Sequence, residues 1–514
     1  MTETMDKDII QTTGKQDSLR KAWMALIVVV LGTFMGMLDT TIVNIAIPTI
    51  MGNTNGGFGI SLDSVKWIAT AYALTLAAVI PLTGFFQKAL GTKKVFMFAL
   101  AIFTIGSVLS GLAWNITALI GFRILQGIGG GIIAPLGMSM ILDLFPEKKR
   151  GIAFGMWGVA AMAAPAIGPT FGGFLVDSLS WRSIFYINVP VGIIAFILCI
   201  FLLTGVKSKR FEKFDIRGYV TFLASVVLFI FILGEWSNIN WSQPTYPILC
   251  AVAALSFAAF IFFESRSPNP IVKVKLFKSF IFSYSFIVFC VIVISLMGVS
   301  YSLPYFIQTV MGKSPMDAGI IMLPASAAMA VFFIIGGKLY DKIGLKPVII
   351  PGFVLLAASS LLLASNYTIG VAVGTIILLS SLLYIALALI NMPIATYTLS
   401  TVSQEDNAAA SSMFNIMKQV MTALGVTLVT NLITSKTTSE MTSLMAGVNP
   451  NDTTAVAGVK LNAVAHAMSY SAEITAVLIV IALVMSFFFK KIKKTEPEEE
   501  VDSTQTKGAL KSQV

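Results

Sequence analysis

The sequence predicts an all-α polytopic membrane protein with fourteen transmembrane helices, built as two six-helix bundles with two inserted central helices between them. Three observations predict this class: apolar runs of membrane length recur along the chain, lysine and arginine cluster on alternate connections, and one loop motif occurs twice. The 514 residues are 56% hydrophobic and only 12% charged, with a mean hydropathy of +0.86. A soluble domain carries roughly a quarter of its residues as charges, so most of this chain is suited to lipid.

Runs long enough to cross the hydrocarbon fall near 22–47, 67–87, 95–114, 117–142, 151–176, 184–205 and 217–235. Seven more follow near 246–263, 281–305, 316–337, 347–365, 369–397, 409–434 and 471–489. The first is about 26 residues long against 7–15 for the core of a secretion signal, and lacks a small-residue cleavage pattern, so it reads as a retained helix. An even number of spans puts both ends of the chain on one side. With that side taken as inner, the inner segments hold 28 Lys and Arg and the outer loops hold 5: Lys66, Arg182, Lys313, Lys436 and Lys460. This is a positive-inside pattern. It predicts a multi-pass protein of the cell membrane with both ends cytoplasmic. The net charge of +10 then reflects topology and attraction to anionic lipid, not nucleic-acid binding.

The repeat is Gly84-Phe-Phe-Gln-Lys88-Ala-Leu90-Gly91-Thr-Lys93, matched by Gly337-Lys-Leu-Tyr-Asp341-Lys-Ile343-Gly344-Leu-Lys346, offset by 253 residues. Spans 1–6 therefore correspond to spans 9–14, and spans 7 and 8 are the insertion. The expected units are a cytoplasmic tail (1–21), a first bundle (22–205), the inserted pair with its flanking loops (206–280), a second bundle (281–490) and a cytoplasmic tail (491–514). Both tails read as disordered, and 436–470 reads as a long polar outer loop that has room for a small interfacial helix. Duplicated halves enclosing a midplane site are a transporter design. Cys199, Cys250 and Cys290 lie in apolar runs without a pairing pattern, and the single histidine, His466, lies in the outer loop. No metal, disulfide framework or cofactor is indicated.

Few charges lie inside the spans, and each is a functional candidate. Asp39 is about 17 residues into span 1, some 25 Å along at 1.5 Å per residue, in the outer half. Arg123, entering span 4 from outside, has a similar depth. A guanidinium does not shed its proton, so it needs a partner, and Asp39 matches it in depth. The carboxylate is either a protonatable group facing a central cavity or a structural acid bonded to a neighbouring helix. Lys418 lies about nine residues into span 13 with Asn415 and Gln419 beside it; it either faces the cavity or snorkels to the inner surface. Asp317 opens span 10, where capping is its simplest role, and Asp143, Glu235 and Glu264 fall at span ends. Gly312-Lys313-Ser314 looks like the end of a phosphate-binding loop, but the required earlier glycine is Ile307. No nucleotide domain accompanies it, which argues against an ATP-driven pump and against an enzyme.

Together these features resemble the major facilitator superfamily, in particular its fourteen-helix drug/proton antiporter branch of the EmrB/QacA type, across all fourteen spans. Leu38-Asp39-Thr40-Thr41-Ile42-Val43-Asn44-Ile45-Ala46-Ile47-Pro48 is similar to that branch's first-helix motif. Arg123-Ile-Leu-Gln126-Gly127-Ile-Gly129-Gly130-Gly131 is similar to the superfamily's fourth-helix arginine motif. Gly158, with Ala163-Ala164-Pro165-Ala166-Ile167-Gly168-Pro169-Thr170-Phe171-Gly172-Gly173, resembles its antiporter signature. There, prolines kink a helix and small residues admit a neighbour, giving a seal against leakage. The repeated loop resembles the cytoplasmic gating motif built on Gly84, Gly91, Gly337, Asp341 and Gly344. Its usual acid is Lys88 in the first copy, which leaves a gating ion pair only around Asp341, with Lys342 and Lys346 nearby.

The resemblance implies a major facilitator fold and a monomer that exports hydrophobic or cationic small molecules in exchange for protons, in contact with membrane lipid. Asp39 and Arg123 would couple protons. The cavity candidates are Met35, Met37, Trp67, Tyr72, Gln126, Tyr384, Asn391, Phe414 and Lys418, since methionines adapt to varied ligands and aromatic faces attract cations. The competing expectation is a proton-coupled symporter or facilitator that takes up a small nutrient.

Overall fold

A computed structural model describes residues 2–489 apart from 54–55, 204–213, 237–238, 240–242, 269, 403–406, 446–447 and 450–451. The cytoplasmic tail expected at 491–514 lies outside the described residues. Everything described is helix and short connection. The first half comprises α1 (Thr2–Met51), α2 (Leu62–Leu90), α3 (Thr92–Gly111), α4 (Ile116–Leu144), α5 (Glu147–Ser178), α6 (Ser183–Tyr186) and α7 (Asn188–Leu202). The insertion supplies α8 (Ile216–Gly234) and α9 (Thr245–Arg266). The second half comprises α10 (Phe280–Thr309), α11 (Pro315–Ile343), α12 (Lys346–Ser365), α13 (Val373–Ser400), α14 (Asn407–Met445) and α15 (Thr453–Ser486).

Among the described residues, thirteen helical stretches are long and apolar enough to cross a membrane, with α6 and α7 forming one of them. The 32-residue α5, packed between α1 and α11, makes the fourteenth. Each of α2 and α11 has 29 residues, and each is followed by a 20-residue helix. The joints are Gly91 and Gly344, with φ of 84° and 85°. That left-handed backbone is open to glycine and strained for other residues, so the two halves of the repeat turn the same corner in the same way.

Two expectations about the connections are corrected. The segment 1–21 is not an unstructured tail, because α1 begins at Thr2. Once the apolar span supplies the helical nucleus, extension through Lys, Gln, Leu and Arg requires only propagation. Likewise, 436–470 is not a loop: α14 runs to Met445 and α15 starts at Thr453, where Asp452 caps it by accepting from the amides of Thr454 and Ala455. Lys436 pairs with Glu440 at 2.9 Å, an i,i+4 pair that supports the extension. His466 is therefore a helical residue, exposed, with Nδ1 3.8 Å from Glu440.

The side chains pack into two apolar cores. One belongs to the first bundle alone, near the chain ends, and contains Leu26, Phe96, Met140 and Phe145. The other runs through the second bundle and reaches the first on the opposite side, the far face, where Ile42, Val65 and Ile68 share it with Ile307 and Ile321. Polar bonds cross the bundles in the same region. Thr170 Oγ1 donates to Gly319 O at 2.9 Å, Gln308 Nε2 to Ile45 O at 2.9 Å, and Asn44 Nδ2 to Ser300 O at 3.4 Å. The far face is closed by these contacts.

Candidate functional site

Helix α4 owes its place to glycine. A Cβ on Gly129 would lie 2.4 Å from Ala99 O, and one on Gly106 of α3 would lie 2.6 Å from the backbone of Gln126. With the two backbones touching, α4 presents Arg123 and Gln126, one turn apart, toward Asp39 of α1. Arg123 donates through Nη1 to Asp39 Oδ2 at 2.5 Å and to Gln126 Oε1 at 2.6 Å. Gln126 Nε2 donates to Asp39 Oδ1 at 2.8 Å and to Ser107 Oγ at 2.8 Å. Asn188 Nδ2, from the start of α7, reaches Asp39 Oδ1 at 3.0 Å. The guanidinium lies over the Tyr72 ring, 3.9 Å from its centroid, and 5.7 Å from that of Phe185. Asp39 and Gln126 are wholly buried, and Arg123 is 1% exposed.

The depth match between Asp39 and Arg123 is thus a direct ion pair. Two candidates placed in the cavity, Gln126 and Tyr72, instead complete the surroundings of that pair. A buried acid and base are tolerated when their remaining hydrogen-bonding capacity is met, and here both carboxylate oxygens are occupied. Among the described residues the Arg123 Nε has no partner. Asn188 and Ser107 were not among the sequence candidates. Their only sequence signal is a polar residue within an apolar run, which many hydroxyls share.

The other candidates disperse. Met35 and the neighbouring Phe34 line an apolar crevice of about 280 Å³ between α1, α5 and α7, which also touches Asn188. Met37 and Asn391 are half-buried. Trp67 does not face a substrate space: it packs on Phe231 of the inserted α8, with ring centroids 6.0 Å apart. Phe414 belongs to the core between α10 and α14, 4.7 Å from Phe289 and 5.2 Å from Phe286 by ring centroids. Lys418 is half-buried and, at 100° per residue, shares the side of α14 used by Phe414 and by Gly425, which meets Ile294 of α10. Tyr384 is buried, and its hydroxyl is 3.2 Å from Ser300 Oγ, close to the Asn44 crossing. Asp317 is exposed in the first turn of α11; Ser314 is the residue that caps it. The side chain of Asp143 lies outside the described residues.

The small-residue run on α5 divides by position. A Cβ at Gly168 would meet Thr41 Oγ1 at 2.4 Å, and one at Gly172 would meet Ile42 at 2.6 Å, both on α1. At Gly173 it would lie 2.2 Å from Pro315 O of α11, and at Gly319 of α11 it would lie 2.5 Å from Pro169 O. The two bundles therefore meet backbone to backbone at the far face. Gly158 has open space around it, so packing gives no reason for it. The helix continues through Pro165 and Pro169; the side chain of Pro165 lies outside the described residues. At the repeated loop Gly84 is exposed with open space around it, and a Cβ at Gly337 would lie at an ordinary contact distance, 3.6 Å, from Met392. Asp341 is exposed and, among the described residues, pairs with neither Lys342 nor Lys346. The expected gating ion pair is absent there because these side chains project into water, where such pairs are weak.

Lys66 is a further correction. Counted as an outer-loop charge, it lies instead inside α2, completely buried.

A duplicated helical bundle spanning a membrane, with a buried acid–base pair inside one half, is the build of a secondary transporter. A profile of the Major Facilitator Superfamily matches residues 29–426, and the chain belongs to that family. It is 35% identical over 419 residues to the multidrug transporter protein MdtP of Bacillus subtilis (strain 168), covering 81% of this chain and 76% of the relative. It is 30% identical over 429 residues to the multidrug export protein EmrB of Escherichia coli (strain K12), covering 83% of each. Among solved structures, a D-xylose-proton symporter superposes with a TM-score of 0.63 at 17% identity, covering 91% of this chain and 98% of that one. A bacterial homologue of the lysosomal transporter Spinster, inward-facing, gives 0.62 at 17% identity over 91% and 96%. These two superpositions establish the fold. The protein is a multi-pass membrane transporter whose relatives are named for multidrug efflux.

Proposed function

We propose that this protein exports amphipathic, often cationic compounds across the cell membrane in exchange for protons, with both chain ends cytoplasmic, Asp39 carrying the proton and Arg123 as its partner. The observation that carries this reading is the Asp39 cluster: a carboxylate removed from water, held by one guanidinium and two amides. Protonating Asp39 turns an ion pair into a contact between a neutral acid and a guanidinium that keeps its charge, and takes the cluster from zero net charge to plus one. In a low-dielectric interior that change is large enough to bias a conformational equilibrium. The closed far face supports the same cycle, since it leaves the cytoplasmic side as the entrance for a compound to be exported. The names of the relatives at 30% and 35% identity support export of drug-like molecules.

The driving force follows from the stoichiometry. A membrane potential supplies ~2.3 kcal/mol per charge per 100 mV, and a pH difference supplies ~1.36 kcal/mol per unit. One proton exchanged for one monocation moves no net charge and draws on the pH difference alone; a second proton adds the potential.

Everted vesicles carrying an imposed pH gradient test this reading. Adding a cationic amphiphile is expected to release protons in the wild type, and Asp39→Asn, whose amide does not exchange a proton in this pH range, is expected to abolish that release. Undiminished exchange in Asp39→Asn would move the proton to another residue. Accumulation of a small nutrient in right-side-out vesicles, without drug-driven proton release, would identify an uptake symporter.

A further inference from the structure

The far face holds a second charged cluster that proton exchange at Asp39 does not use. Lys66 stands in the first turns of α2, behind the Ser61 cap, with no exposed surface. Its ammonium donates to the Asp63 carboxylate, to Gly234 O at 2.5 Å and to Asn431 Oδ1 at 3.0 Å. The Asn431 amide donates in turn to Leu233 O. Three structural units thus meet at one side chain: α2 of the first bundle, α14 of the second, and the end of α8 from the inserted pair.

The chemistry of the junction is complementary. The last carbonyls of a helix lack partners within it and lie at its negative end. Here the carbonyls of Leu233 and Gly234 receive an amide and an ammonium. An ammonium has three donors and no acceptor, and all three find oxygen. Gly234 fits because it has no side chain; a Cβ there would lie 2.9 Å from Trp67. One turn deeper in the same seam, the hydroxyls of Thr70 and Thr427 are 3.4 Å apart, both buried.

We propose that Lys66 is a gating residue that latches the inserted helix pair onto the closed far face, making the pair a working part of the outer gate. When the bundles part on that side, Asp63 stays with Lys66 on α2, and water replaces the oxygens of Gly234 and Asn431 around the ammonium. The ammonium is therefore satisfied in either state, by protein oxygens when closed and by Asp63 and water when open, and only a halfway state, parted but not yet hydrated, leaves donors of a charged group unpaired. Removing the ammonium shifts the balance toward the open far face. The proposal rests on alternation of the two bundles and not on the proton step, so failure of the vesicle assay for Asp39 would leave it standing.

The test uses thiol labelling of the purified full-length chain below its unfolding temperature. Thr427→Cys, in a background with Cys199→Ala, Cys250→Ala and Cys290→Ala, reports opening of the seam. Native Cys199, buried in the first bundle, retained with only Cys250→Ala and Cys290→Ala, reports unfolding. Lys66→Met is expected to raise labelling at position 427 about tenfold, a shift of about 1.4 kcal/mol, with the rate at Cys199 unchanged. Gly234→Ala, which pushes α8 off Trp67, is expected to act in the same direction. Asn431→Ala, which keeps two of the ammonium's three acceptors, is read the same way if Lys66→Met does not fold. An unchanged rate at position 427, or equal rises at both positions, would overturn the gating role. A silent Gly234→Ala beside an effective Lys66→Met would remove the inserted pair from the gate.

Discussion

The two bundles share a frame but differ in what they bury. The first encloses an acid and a base with four polar neighbours: Gln126, Asn188, Ser107 and the Tyr72 ring. The buried polar groups of α10, α12 and α13 in the second are largely hydroxyls turned back onto their own helices: Ser295 to Val291 O, Ser359 to Leu355 O, Ser380 to Ile376 O and Thr398 to Ile394 O. Such hydroxyls satisfy themselves locally and change no charge at physiological pH. Duplication therefore preserved the corner at Gly91 and Gly344, while the buried acid–base pair lies in the first copy and the second carries Lys418, half-buried in α14. The half that holds this pair is also the half whose buried polar groups depend on one another.

Four further substitutions test that contrast. Arg123→Ala strips the buried carboxylate of its counter-charge and is expected to cost about 3–5 kcal/mol of stability, seen as a large fall in unfolding temperature. Adding Asp39→Asn should recover part of that loss, and strict additivity of the two changes would mean that the pair does not act as a unit. On the seam between the halves, Gly173→Ala meets Pro315 O and is expected to cost about 1–3 kcal/mol. Gly158→Ala, with free space around it, should be neutral or stabilising by up to about 1 kcal/mol; equal effects at the two positions would contradict the backbone-to-backbone contact. The smallest effect belongs to the second bundle: Ser380→Ala should change stability by no more than about 1 kcal/mol and leave drug-driven proton release intact.

Much of this architecture is legible in the chain. Fourteen runs, the repeat at Gly91 and Gly344, and the match in depth between Asp39 and Arg123 are all local or periodic signals. What stays hidden depends on distance. Lys66 binds Asn431, 365 residues away, and a charge near a helix start falls outside a hydropathy window centred on the span, so it reads as loop. Asn188 and Ser107 look like any polar residue in an apolar run until α3, α4 and α7 converge. Trp67 and Phe414 have the composition of ligand contacts, but aromatic side chains also fill cores, and their neighbours here are Phe231 and Phe289. Between 436 and 470 the polar composition suits a helix standing in water as well as it suits a loop, which conceals the end of α14 at Met445 and the start of α15 at Thr453. The four-residue spacing of Lys436 and Glu440 is a local signal there that favours helix.

Every partner of Asp39 named above, from Arg123 to Asn188, belongs to the same half of the molecule. If that half tilts as a rigid body, the whole constellation travels with it and no contact between the halves has to break when a hydrogen ion arrives or leaves. In the proposed exchange the ion would travel with that half, loading and unloading according to the aqueous compartment the half then faces, while its charge biases which way the half tilts.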